Sequence, residues 1–233
     1  MADLAQPETL GPALGGITMV FLYAEQRGLD GFLTHAREAG VEHIVLLSAA
    51  GADPNSDDAI TRLHGEAEQT VADSGIAWTF LRPGGFATNR LLWANTIRAE
   101  GVVREAFPES QSALIHEADI AAVALHALTE AGHDGTGYTL TGPQSLTVRQ
   151  QAELIGEAID RPVQVELQDL DDYRRSLSLS LSGWSAEIVE ARIRRIAALV
   201  DHPAPTTDTV REVTGRPART FADWAADHAS DFV

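Results

Sequence analysis

The chain has no cysteine, which excludes disulfides, thiolate chemistry and cysteine-built metal sites. Lysine is absent too: all 17 basic residues are arginine, so covalent catalysis through a Schiff base is excluded. Against 34 acidic residues the net charge is −17, which leaves no basic face to displace counterions from nucleic acid or anionic lipid. The opening residues 1–7 have neither the basic start nor the apolar stretch of a secretion signal, and no apolar run reaches membrane-spanning length. A cytoplasmic location is the expectation. Metal-ligand spacing is also missing. His116, Glu117 and Asp119 form no His-Glu-x-x-His or comparable set, and Asp119 reads instead as a helix N-cap.

What is present is a 233-residue chain with 44% hydrophobic residues, enough for a full core. The apolar run at 17–24 reads as a strand buried on both faces, and so does 43–48. Between them Leu29, Phe32, Leu33 and Ala36 recur at helical spacing before Gly40, a helix over 29–39. A second helix over 59–73, with Ile60, Leu63, Ala67 and Val71 on one face, leads through Gly75 to a strand at 77–81. Strands alternating with helices indicate a parallel sheet with right-handed crossovers, an α/β fold of the doubly wound kind. Further on, a helix over 120–128 and a short strand from 138 into the turn at 143 are expected. Thr147 reads as the N-cap of a helix over 148–159, and the leucine–serine alternation of 176–184 as a local strand or substrate-side flap. The organisation expected is a core over 1–144 with a mostly helical C-terminal cap over 145–233, without a hard boundary.

Several of these segments carry a resemblance. Residues 42–48 (Glu-His-Ile-Val-Leu-Leu-Ser), the Leu81-Arg82-Pro83-Gly84 turn with Phe86 and Asn89, residues 116–121, residues 138–143 and residues 213–221 together resemble NmrA-like atypical short-chain dehydrogenases, in order and over nearly the whole chain. The resemblance implies a Rossmann-like sheet that is incomplete. Asp3-Leu4 matches the end of the family's third strand, so the first two strands, roughly fifty residues including a βαβ unit of about 30, are expected to be missing. The Gly-rich turn that grips a pyrophosphate is expected to be missing with them, because residues 11–16 (Gly-Pro-Ala-Leu-Gly-Gly) follow no strand and have the wrong spacing. An upstream start would account for the same observation. Strand 17–24 then becomes a sheet edge, and a second copy of the chain is expected to cover it.

On that basis no cofactor is expected, and the vacated cleft is expected to hold an apolar or aromatic, polyketide-like substrate for non-redox acid–base chemistry: isomerisation, cyclisation or elimination. His64, where related reductases carry a lysine, is the expected proton carrier, and Ser48, at a strand's carboxyl end, the group that orients a substrate oxygen. Tyr23, Arg82, Gly84, Phe86, Asn89, Trp93, Tyr173 and Trp184 are the candidate substrate-binding residues, and Ser48, Pro83, Gly84, Gly85 and Phe86 keep the family's cofactor positions. Two alternatives stand beside this reading. One is an NAD(P)H-dependent oxidoreductase, which would have to act without the usual Tyr-x-x-x-Lys pair since there is no lysine. The other is a non-enzymatic, ligand-sensing regulator.

Overall fold

Runs of leucine, isoleucine and valine build the central sheet of a computed structural model that describes residues 2–6, 9–24, 27–180 and 185–233. By its internal contacts the chain divides into two compact units, Met1–Pro83 with Ile120–Leu140, and Gly84–Asp119 with Thr141–Val233.

In the first unit, with elements numbered along the whole chain, strands β1 (Met19–Tyr23), β2 (His43–Leu47), β3 (Ala77–Pro83) and β6 (Thr136–Leu140) form an all-parallel sheet in the order β1-β2-β3-β6. Its register sets Val45 of β2 against Phe21 of β1 and Thr79 of β3. Strand β2 is inaccessible at Ile44, Val45 and Leu46, as a strand covered on both faces should be. After the single-turn helix α1 (Gly11–Leu14), helix α2 (Leu29–Ala39) turns Leu29, Phe32, Leu33 and Ala36 inward, the larger side chains each contributing about 1–3 kcal/mol of burial. It ends at Gly40, whose positive φ of 82° lets its N–H reach back to the carbonyls of Ala36 and Arg37. Helix α3 (Ala59–Asp73) starts where the Asp58 carboxylate accepts from the Thr61 N–H. At Gly65 a Cβ would lie 2.2 Å from the Asp53 backbone, so only glycine allows α3 to sit against the loop that follows β2. These elements match the expected α/β organisation. Helix α5 (Glu117–Thr129), by contrast, begins earlier than expected. Asp119 is not its N-cap. That role falls to His116, whose Nδ1 accepts from the Ala118 N–H at 3.1 Å, while the Asp119 carboxylate holds the backbone N–H and guanidinium of Arg219.

The second unit is mostly helical. A 3-10 segment (Ala87–Trp93) runs into α4 (Ala94–Glu100), then β4 (Val102–Glu105) pairs in parallel with β8 (Gln164–Leu167). Strands β5 (Gln111–Ser112) and β7 (Leu146–Thr147) form a short antiparallel pair. Thr147 caps α6 (Val148–Ala158) in a reciprocal capping box with Gln150, as expected. Helices α7 (Leu170–Ser180), α8 (Ala186–Ala197), α9 (Thr209–Thr214) and α10 (Phe221–Asp227) complete it, with Trp93, Ile97, Ile155, Trp224 and Phe232 at the core. The strand or flap expected from residue 176 is a correction: residues 176–180 are helical. The Ser178 and Ser180 hydroxyls donate to the carbonyls four residues back, and Tyr173 and Leu177, one turn apart, are both buried while Leu179 is 79% exposed. Residues 181–184 lie outside the described part. Among the described residues no helix is long and apolar enough to cross a membrane.

Candidate active site

In α/β proteins ligands gather at the carboxyl ends of the strands, and in the first unit the chain holds that edge firmly. Beyond β2 the Ser48 N–H donates to the Leu81 carbonyl at 2.7 Å and the Ala50 N–H to the Pro83 carbonyl at 2.9 Å, so the loop continues along β3. Ser48 is 2% exposed, and its Oγ has no hydrogen-bond partner among the described residues. A buried hydroxyl in that condition has hydrogen-bonding capacity that water or a ligand atom can take up. Tyr23 ends β1 with its ring 66% exposed and edge-on to Phe21. His64 is half-buried on α3. Glu68, one turn on, grips Arg82: the Arg82 Nε and Nη2 donate to its two carboxylate oxygens at 2.9 and 2.6 Å. That bond is the main cause holding the Arg82 guanidinium above its ordinary value. Arg82 is thereby committed to tying α3 to β3.

The second unit holds the other candidates. Gly84 is exposed, and Gly85 leaves no slack, since a Cβ there would stand 3.0 Å from Leu114. Phe86 bridges to Ile115, whose carbonyl accepts from the Ala87 N–H at 2.9 Å. Asn89, Trp93 and Tyr173 line one cavity of about 290 Å³. Trp184 lies outside the described residues.

Three residues that sequence reasoning missed give this cavity its chemistry. Glu105 is 6% exposed and accepts from the Trp93 indole N–H at 3.1 Å. Burial is the chief cause pushing its carboxyl upward, opposed by Arg90. Tyr173 is also raised, by burial first and then by Glu105. Arg90 stacks on the Trp93 ring at 4.5 Å, and burial pulls its guanidinium below the ordinary value. Arg192, on α8, completes the group. One signal was available for Glu105: in Val-Val-Arg-Glu it falls on the face of Val103, the inward one.

A sequence profile described as NAD(P)H-binding matches residues 1–131. The chain belongs to this NAD(P)H-binding family. The NmrA-like resemblance and the Rossmann-like sheet agree with that membership. Among relatives, the (4-alkanoyl-5-oxo-2,5-dihydrofuran-3-yl)methyl phosphate reductase of Streptomyces griseus is 39% identical over 96% of this chain and 80% of its own. The NAD(P)H azoreductase of Xenophilus azovorans is 38% identical over 99% of this chain and 82% of its own. The NADPH complex of an NADPH-dependent quinone oxidoreductase from Escherichia coli superposes with a TM-score of 0.79 at 26% identity, over 97% of this chain and 82% of the other.

For a family member these matches overturn two expectations, that no nicotinamide cofactor is used and that the chemistry is non-redox. Both rested on one missing turn among the first residues, whereas the family's pattern extends through the sheet.

Proposed function

We propose that this protein is an NAD(P)H-dependent reductase of a small, conjugated organic substrate. One observation carries the reading: the two relatives of 38 and 39% identity, matched over nearly the whole chain, are both reductases, one with NAD(P)H in its name. An azo group, a quinone and an alkanoyl-substituted dihydrofuranone share a conjugated, electron-poor double bond. Such acceptors need little added polarisation, which suits a chain without the lysine of the Tyr-x-x-x-Lys pair.

When bound, NAD(P)H supplies a hydride to one end of that double bond. The chain's residues do the rest. The Ser48 hydroxyl holds a polar atom of the nicotinamide, and His64 delivers the proton to the other end of the bond. A cytoplasmic setting, where NAD(P)H is supplied, fits this role.

The test is acceptor-dependent loss of NADPH absorbance with menadione as quinone and methyl red as azo compound. Turnover with at least one is expected, with His64→Gln lowering kcat about 100-fold or more and flattening its pH profile. NADPH loss no faster than without protein, for both acceptors, would contradict the reading.

A further inference from the structure

The cavity of the second unit, at about 290 Å³, lies at the small end of ligand pockets, roughly 300–1,000 Å³, with room for a one- or two-ring molecule. Its charge runs against the rest of the molecule. Three of its fourteen lining residues are arginine, in a chain of net charge −17. The three differ in what they already hold. Arg104 is neutralised by ion pairs with Glu100 and Glu166. Arg90 is stacked on Trp93 and gives its Nε–H to the neutral Gln151 amide oxygen at 2.6 Å. Arg192 has its Nε buried with no hydrogen-bond partner among the described residues.

Among the described residues the only acid lining the cavity with Arg90 and Arg192 is Glu105, and it already accepts from the Trp93 indole. Burial also works against its ionisation. Two guanidiniums therefore face at most one negative charge, beside an apolar wall of Trp93, Leu177 and Ile196. A buried guanidinium N–H without an acceptor, as at the Arg192 Nε, is costly, and an oxyanion, which takes N–H donors side by side, is a ligand that relieves it.

We propose that this cavity binds a planar, one- or two-ring anion bearing a phosphate, sulfonate or carboxylate, with Arg192 and Arg90 on the oxyanion and the Trp93 ring along the plane. Naming this ligand as the substrate rests on the reductase reading; its binding does not.

The test compares 2-naphthyl phosphate with 2-naphthol by calorimetry on the full chain with saturating NADP+, which keeps the phosphate off any cofactor subsite. The wild-type protein is expected to bind the phosphate at least tenfold tighter than the naphthol. Arg192→Gln should remove that preference with little change for the naphthol, and Arg192→Lys, which keeps the charge, should restore most of it. Equal affinities in the wild-type protein, or a preference that survives Arg192→Gln, would overturn the proposal. A parallel assay of NADPH oxidation with 1,4-naphthoquinone-2-sulfonate and 1,4-naphthoquinone separates the two readings. If the anion preference in binding holds but neither quinone is reduced, the reductase reading falls and the cavity assignment stands. If both quinones turn over equally well and no binding preference exists, the cavity assignment falls alone.

Discussion

A buried hydroxyl without a partner costs a fold about 1–3 kcal/mol, and Ser48, at the carboxyl end of β2, carries a hydroxyl with no partner among the described residues. That cost makes sense if the hydroxyl serves a ligand. Replacing Ser48 by alanine is therefore expected to stabilise the protein by about 1 kcal/mol, a rise of roughly 2–4 °C in Tm, while weakening NADPH binding roughly threefold to tenfold. A melting curve and a cofactor titration on the same variant check both. A variant that is less stable and binds NADPH as before would mean that the hydroxyl serves the fold. Arg82 illustrates the opposite case: it stood out in the sequence beside Pro83 and Gly84, yet its guanidinium is spent on Glu68. The family turn made it visible, while the partner fourteen residues away was invisible to any local pattern.

Helices show how far periodicity carries an argument. α2, α3 and α6 were legible because each has a wide apolar stripe and a capping signal at its ends. α7 was misread because leucine and serine alternate there with period two, and only the tertiary partners Val189 and Ile193 decide which leucine is inside. The helix makes a sharp distinction that a strand would not. Leu177→Ala should cost about 2 kcal/mol or more, and Leu179→Ala less than about 0.5. Equal losses in urea melts would restore the strand. The join between α10 and the start of α5 gives a second prediction. His228, largely buried, bonds Glu117 at 2.7 Å and Asp231 at 2.9 Å. Burial alone would lower its pKa, but those two carboxylates outweigh it and the net direction is upward. A group raised on folding stabilises the folded state below its unfolded pKa of about 6.5, and that contribution is lost as pH rises through the higher folded value. Stability should therefore fall between about pH 6 and the raised folded value, and His228→Gln should flatten the decline. An unchanged slope in the variant would remove His228 from the account.

For the molecule as a whole, the parallel sheet and the family were legible from apolar runs and a handful of turns. The cofactor was misjudged, because one absent glycine-rich turn was weighed more heavily than the pattern of the rest of the chain. The cavity's acid and arginines were missed because Glu105 and Arg192 come from a short strand and a distant helix, which only the fold brings together. Among the described residues strand β1 is one of the two edges of the sheet, with Met19 45% and Tyr23 66% exposed. A second copy is expected to cover it, so sedimentation should give a dimer, with slow amide exchange across residues 19–23. A monomer with fast exchange there would refute this. The central claim, that a nicotinamide cofactor binds this chain and is oxidised on it, is tested most directly by calorimetric titration with NADPH. The account predicts saturable binding of one NADPH per chain at micromolar concentration, weakened by Ser48→Ala. No heat of binding up to millimolar NADPH would contradict it.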